Sequence, residues 1–151
     1  MMVLCASLIG YCQGSYFCKG SAGCLCDGPT TDKTLTSCGE KSILLTNLNL
    51  IAINQTAFQS NATVFLTLLN NRISSIPHNV FDNLSGLKTL MLSQNQITQL
   101  PEHIFDNLTS LTALSLSDNR FTRFSVNVFA NLIALETLQL QGNPLTFLPP
   151  S

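Results

Sequence analysis

Six thiols open the question of chemistry. Cys5, Cys12, Cys18, Cys24, Cys26 and Cys38 all lie in the first 38 of 151 residues, and no cysteine follows. Thiols so grouped either cross-link a small module or hold a metal. Cys24 and Cys26 have one residue between them, where zinc pairs use two to four. Neither His78 nor His103 is near the group in sequence. Disulfides are therefore favoured over zinc. The two histidines read as solvated loop residues. Asp82 and Asp106 each stand directly before Asn-Leu. Stacked carboxylates could take calcium, but Ala130 breaks the column, and aspartate before a turn more simply satisfies local amides. No glycine-rich phosphate loop or serine-nucleophile motif occurs. The sequence implies no enzyme and no cofactor. Four N-x-[ST] sites, Asn54, Asn61, Asn83 and Asn107, are candidate glycan acceptors.

Composition narrows the classes further. Hydrophobic residues make up 45% and charged residues 10%, against about 25% charged in ordinary soluble domains. Such a chain can bury a core and is not intrinsically disordered. Net charge is −1 with no basic run, which argues against a nucleic-acid partner. No apolar run reaches the ~20 residues of a membrane span. Residues 1–14, MMVLCASLIGYCQG, read as a signal segment, although its basic start is missing. With the sequons, this predicts a secreted chain or one on the extracellular face of the cell surface.

The elements that position these residues come from a repeat of 24. Leu66, Leu90, Leu114 and Leu138 fall in register, as do Leu68, Leu92, Leu116 and Leu140. Asn71, Asn95, Asn119 and Asn143 follow without exception. Ile73, Ile97, Phe121 and Leu145 come next, and Phe81, Phe105 and Phe129 recur later. Each copy opens on a short strand with leucines inward and the intervening residues outward. The asparagine amide has donors and an acceptor for backbone groups turned toward a dry interior. The phenylalanines predict a stacked spine on the returning side.

This pattern resembles the extracellular leucine-rich repeat family, with its L-x-x-L-x-L-x-x-N-x-[IL] signature and F-x-N-L tail. The resemblance extends to the repeat regions of Toll-like receptors, Slit-type guidance proteins and variable lymphocyte receptors. It implies an α/β solenoid, a curved horseshoe with a parallel sheet on the concave face and irregular or 3-10 segments on the convex face. The copies are 63–86, 87–110, 111–134 and a partial 135–151. Ser125 stands in the third copy where Pro77, Pro101 and Pro149 stand in the others. Residues 15–62 form a cysteine-rich N-terminal cap and an irregular first repeat. Within it LTNLNLIAIN reads as a degenerate strand, with Leu45, Leu48 and Leu50 in the core and Asn54 one place late for the ladder. C-x5-C-x-C-x11-C resembles the family's capping module, which implies the pairs Cys18–Cys26 and Cys24–Cys38. The partial last copy lacks a cap, so the chain is expected to be a fragment of a longer protein. Any membrane attachment would then come from sequence beyond residue 151.

The resemblance implies a recognition module that binds a protein or glycan on its concave sheet, in innate or adaptive-like immunity. Adhesion or matrix assembly is the alternative, and an inert structural fragment the second. The outward strand positions are the expected contacts: Phe65, Thr67, Leu69 and Asn70; Thr89, Met91, Ser93 and Gln94; Ala113, Ser115, Ser117 and Asp118; Thr137, Gln139, Gln141 and Gly142. Met91, between short neighbours, is expected to stand proud of that surface. Only Asp118 is charged, so long-range steering is not expected.

The cap pairing is directly testable. Unreduced peptide mapping of secreted material should link Cys18 to Cys26 and Cys24 to Cys38. The second bond closes a loop of about 15 residues, worth about 3 kcal/mol by chain entropy. Free thiols at these positions would refute it.

Overall fold

The computed structural model describes residues 15–17, 25–27, 33–37 and 41–146. The signal segment and Cys5, Cys12, Cys18, Cys24 and Cys38 lie outside them, and Cys26 enters only through its backbone. Three cap strands, β1 (Ser15–Phe17), β2 (Leu25–Asp27) and β3 (Lys33–Ser37), run antiparallel in that order. The last of them pairs in parallel with β5 (Leu50–Ile53). A second sheet holds β4 (Ser42–Leu44), β6 (Phe65–Thr67), β7 (Thr89–Met91), β8 (Ala113–Ser115) and β9 (Thr137–Gln139), all parallel.

The register of this second sheet makes the molecule a solenoid. Leu66 lies beside Leu90, Leu90 beside Leu114, and Leu114 beside Leu138. Residues one copy apart in sequence are thus neighbours across strands, and each coil buries its apolar face against the next. Leu66, Leu68, Leu90, Leu92, Leu114 and Leu116 are all buried. Beyond the strands, paired turns carry the chain back. Leu84 N–H donates to the Phe81 carbonyl, and Leu87 N–H to that of Leu84. The same pair of turns recurs at Phe105 and at Phe129. No helix occurs among the described residues, so the returning side is irregular.

A phenylalanine spine fills the interior behind the sheet. Phe58, Phe81, Phe105 and Phe129 stack with centroid separations of 6.0, 6.4 and 6.3 Å, rings within 19° of parallel. Phe58 extends the column into the first coil, one place out of the repeat's count. That coil corrects the sequence reading. Its strand is Ser42–Leu44, with Ile43 beside Leu66, a separation one short of the repeat. Leu45, Leu48 and Leu50 are buried, but only Leu45 directly follows the sheet strand. The ladder place belongs to Leu48, not to Asn54.

The ladder geometry explains why a leucine suffices there. Asn95 Oδ1 accepts from Ile73 N–H of the coil before it, at 3.1 Å. Its Nδ2 donates to the carbonyls of Leu68, also behind, and of Leu92 and Ser93 in its own coil. Asn119 and Asn143 repeat the same set one and two coils on. Asn71 reaches back to Leu48 N–H, Leu50 N–H and the Leu45 carbonyl. Each amide therefore serves the coil behind it. Position 48 is itself served by this network, Leu48 N–H donating to Asn71 Oδ1, and the element behind the first coil is β3, paired in parallel with β5.

The residue before each ladder asparagine carries the turn. Asn47, Asn70, Gln94, Asp118 and Gly142 form a left-handed column, with φ between 53° and 70°. Asparagine, aspartate and glycine adopt this region readily, and glutamine does so at a cost. Gly86 is required by a close approach, since a Cβ there would meet the Asn61 carbonyl at 2.8 Å.

Asn95→Ala strands Ile73 N–H and takes one donor from each of the Leu68, Leu92 and Ser93 carbonyls, which keep Asn71 Nδ2, Asn119 Nδ2 and Asn70 N–H. It should cost about 3 kcal/mol, at the upper end for unpaired buried groups. Gln94→Gly relieves the left-handed strain and should leave stability equal or higher by about 0.5 kcal/mol. Thermal melts of the two variants provide the check. Equal losses would contradict the ladder.

Candidate functional site

The sheet face is organised as two cross-strand rows. One runs Ser42, Phe65, Thr89, Ala113, Thr137, and the other Leu44, Thr67, Met91, Ser115, Gln139. The second row alternates long and short side chains. Strands lie about 4.8 Å apart, so a long side chain covers its short neighbours. Thr67 and Ser115 are accordingly buried, at 4% and 5% exposure.

This corrects the expected contact set. Thr67, Ser93, Ser115 and Ser117 are all buried and cannot meet a partner on this surface. Three of them form a hydroxyl string. Ser93 Oγ lies 2.5 Å from Ser115 Oγ, which donates to Gln139 Oε1 at 2.8 Å and approaches Ser117 Oγ at 3.4 Å. Ser93 and Ser117 follow the second leucine of their copies, where the chain has begun to turn and strand alternation no longer applies. What remains outward is half-buried Phe65, Leu69, Thr89, Met91 and Ala113, and exposed Asn70, Gln94, Asp118, Thr137, Gln139, Gln141 and Gly142. Met91 does not stand proud. It is half-buried and forms one wall of a shallow hollow of about 70 Å³. Thr89, Ala113, Ser115, Thr137 and Gln139 complete the rim and floor, and the small Ala113 side chain leaves the space.

The remaining candidates sit elsewhere. His103 Nδ1 is 2.9 Å from Asp106 Oδ2 in the same turn, and the imidazole is 75% exposed. That contact has the form of a catalytic base held by its orienting carboxylate. Ser125 lines the same groove as His103, yet no hydrogen bond joins them among the described residues, so the pair is a local turn contact. No group of three or more potential metal ligands occurs among the described residues. The sequon asparagines Asn54, Asn61, Asn83 and Asn107 are all exposed. Asn54 Oδ1 accepts from both the N–H and the hydroxyl of Thr56. Asn83 and Asn107 donate to Gln59 Oε1 and to the Asp82 carbonyl of the preceding coil.

A parallel sheet whose outward positions carry a single charge, at Asp118, on stacked coils locked by buried amides, defines a solenoid scaffold. The leucine rich repeat model matches residues 64–121 and 109–151, and the chain belongs to the leucine rich repeat family. Proteins of this family are generally protein-interaction modules and typically not enzymes. A comparison with curated proteins found no match.

Burial divides the sheet face into residues that tolerate charge and residues that do not. Met91→Arg should fold with a melting temperature near that of the parent. Ser93→Arg, just past the same strand, overpacks a buried site and should cost about 1–3 kcal/mol. Equal melting temperatures would show that Ser93 is in fact accessible.

Proposed function

We propose that this chain is an extracellular recognition module, secreted or on the outer face of the cell, that binds a protein or glycan on its sheet face in immune recognition. The single observation that carries the reading is the middle of the sheet. Thr89, Met91 and Ala113 are half-buried, uncharged and grouped around a hollow. Such a patch suits an inserted side chain better than long-range attraction. Binding hot spots favour desolvated central positions with a water-excluding rim, and here Thr137 and Gln139 supply the polar edge. Met91 is unbranched and polarizable, so it can adjust to different partners.

The extracellular part rests on the cysteine-rich start, on the sequons and on the exposure of all four acceptor asparagines. The immune part rests on the family resemblance. Adhesion uses the same surface without diversity, so sequences from several individuals separate the two. Variation concentrated at Thr89, Met91 and Ala113 supports recognition of foreign ligands. Invariance there supports adhesion.

Binding itself is tested by a photo-crosslinking residue placed at Met91 and, as a comparison, at exposed Asn131 away from the sheet. Incubated with extracellular proteins and cell-surface glycans, the first should capture partners and the second should not. Capture only from position 131, or from neither at micromolar concentration, would overturn the sheet-face reading.

A further inference from the structure

The third copy departs from its neighbours on the side away from the sheet. In the first two copies Asn79 and His103 take left-handed φ values of 60° and 62°. Asn127, their counterpart in the next coil, does not. There Val128 N–H donates to the Ser125 carbonyl at 3.2 Å and closes a turn. Ser125 occupies the place of Pro77 and Pro101. Val126, at the place of the exposed polar residues His78 and Glu102, puts an apolar side chain there and is 64% exposed.

On either side of this turn lies a groove. One, of about 340 Å³, is bounded by Glu102, His103, Asn127 and Val128. The other, of about 300 Å³, is bounded by Gln99, Leu100, Arg123 and Phe124. Ser125 and Val126 line both, so the two adjoin at the Val126 side chain. Each volume is in the range of ligand-holding clefts. Their charges differ in sign: the first carries the Glu102 carboxylate and the second the Arg123 guanidinium. Both side chains are exposed, and among the described residues neither has an ion-pair partner.

We propose that this double groove binds an extended peptide segment of a partner protein. A cationic side chain of that segment lies by Glu102, an anionic one by Arg123, and the stretch between them crosses Val126. The opposite charges at the two ends fix the direction of the peptide. Glycans lack the paired charges, and a single small anion would leave Glu102 and half of the cleft unused. The site is on a different face from the sheet hollow, so it stands or falls independently of the sheet-face reading.

The probes are three blocked tetrapeptides: acetyl-Lys-Val-Val-Glu-amide, the reversed acetyl-Glu-Val-Val-Lys-amide, and the neutral acetyl-Gln-Val-Val-Gln-amide. Binding is read from methyl NMR signals of Val126 and Val128, with the Met91 methyl as the remote reference. Either charged order can pair both ends by reversing its direction, so both should move the valine signals and bind about fivefold more tightly than the neutral peptide, the modest gain expected of exposed ion pairs. Met91 should not move. In the variant Glu102→Gln with Arg123→Gln, the advantage of the charged peptides should disappear. Both residues are exposed, and an unchanged thermal melt confirms that the variant folds. Equal binding of all three peptides, no movement of the valine signals at millimolar peptide, or a charged-peptide advantage that survives the double substitution would overturn the proposal.

Discussion

The buried asparagine amide is the constraint on which the rest of this molecule depends. Parallel strands pair their own backbone groups, but each coil soon turns away from the sheet, and its carbonyls and N–H groups then face an apolar interior. Leaving such groups unpaired is costly. From Asn95 on, each ladder amide accepts one N–H 22 residues back and donates to a carbonyl 27 residues back, as well as to carbonyls in its own coil. These contacts fix how the sheet sides of successive coils sit against each other, and Asn71 keeps them across a coil one residue shorter. A residue inserted on the sheet side would move one partner out of range, whereas the returning turns can change without touching the ladder. The amide must also be short, because a glutamine would carry its head group past the carbonyls of its own coil.

From that constraint follows what could be read in the sequence. The strands, their neighbours and the phenylalanine column are repeated positions, and repetition at a fixed interval becomes contact when coils stack. The first coil was misread because its residues answer to a different neighbour. Position 48 joins the ladder through its backbone N–H, which donates to Asn71 Oδ1, and a leucine there hides the ladder place from any search for asparagine. Its copy is also shorter by one position, so Ile43 and Phe58 fall outside the comb of the repeat.

The buried hydroxyls were illegible for another reason. Alternation assigns a residue to a face, but exposure on that face depends on what stands beside it across the strands. Thr67 and Ser115 do lie in the outward row, under Leu44, Met91 and Gln139. The long–short alternation of that row is visible only once the register is known, since its members lie a whole copy apart along the chain. Had the hydroxyl positions held large side chains, Met91 would be lifted and the Ala113 hollow lost. The shape of the sheet centre is thus set as much by residues that meet no partner as by those that do.

The same logic separates the two faces in what they can vary. On the sheet side, ladder, strand and left-handed column leave only the outward row free, so variety there is of side chain and not of backbone. On the returning side the backbone itself has room. The third copy places Phe121 and Phe124 where the others have isoleucine or leucine, and Phe124 packs edge-on to Phe129 at 5.2 Å. The larger rings fill that coil from within, keeping the spine continuous while the chain outside them closes a tighter turn at Ser125. A change of local path is absorbed by the aromatic layer before it reaches the ladder. A scaffold so arranged can present a shaped row on one side and a re-routed loop on the other without either disturbing the amides between them.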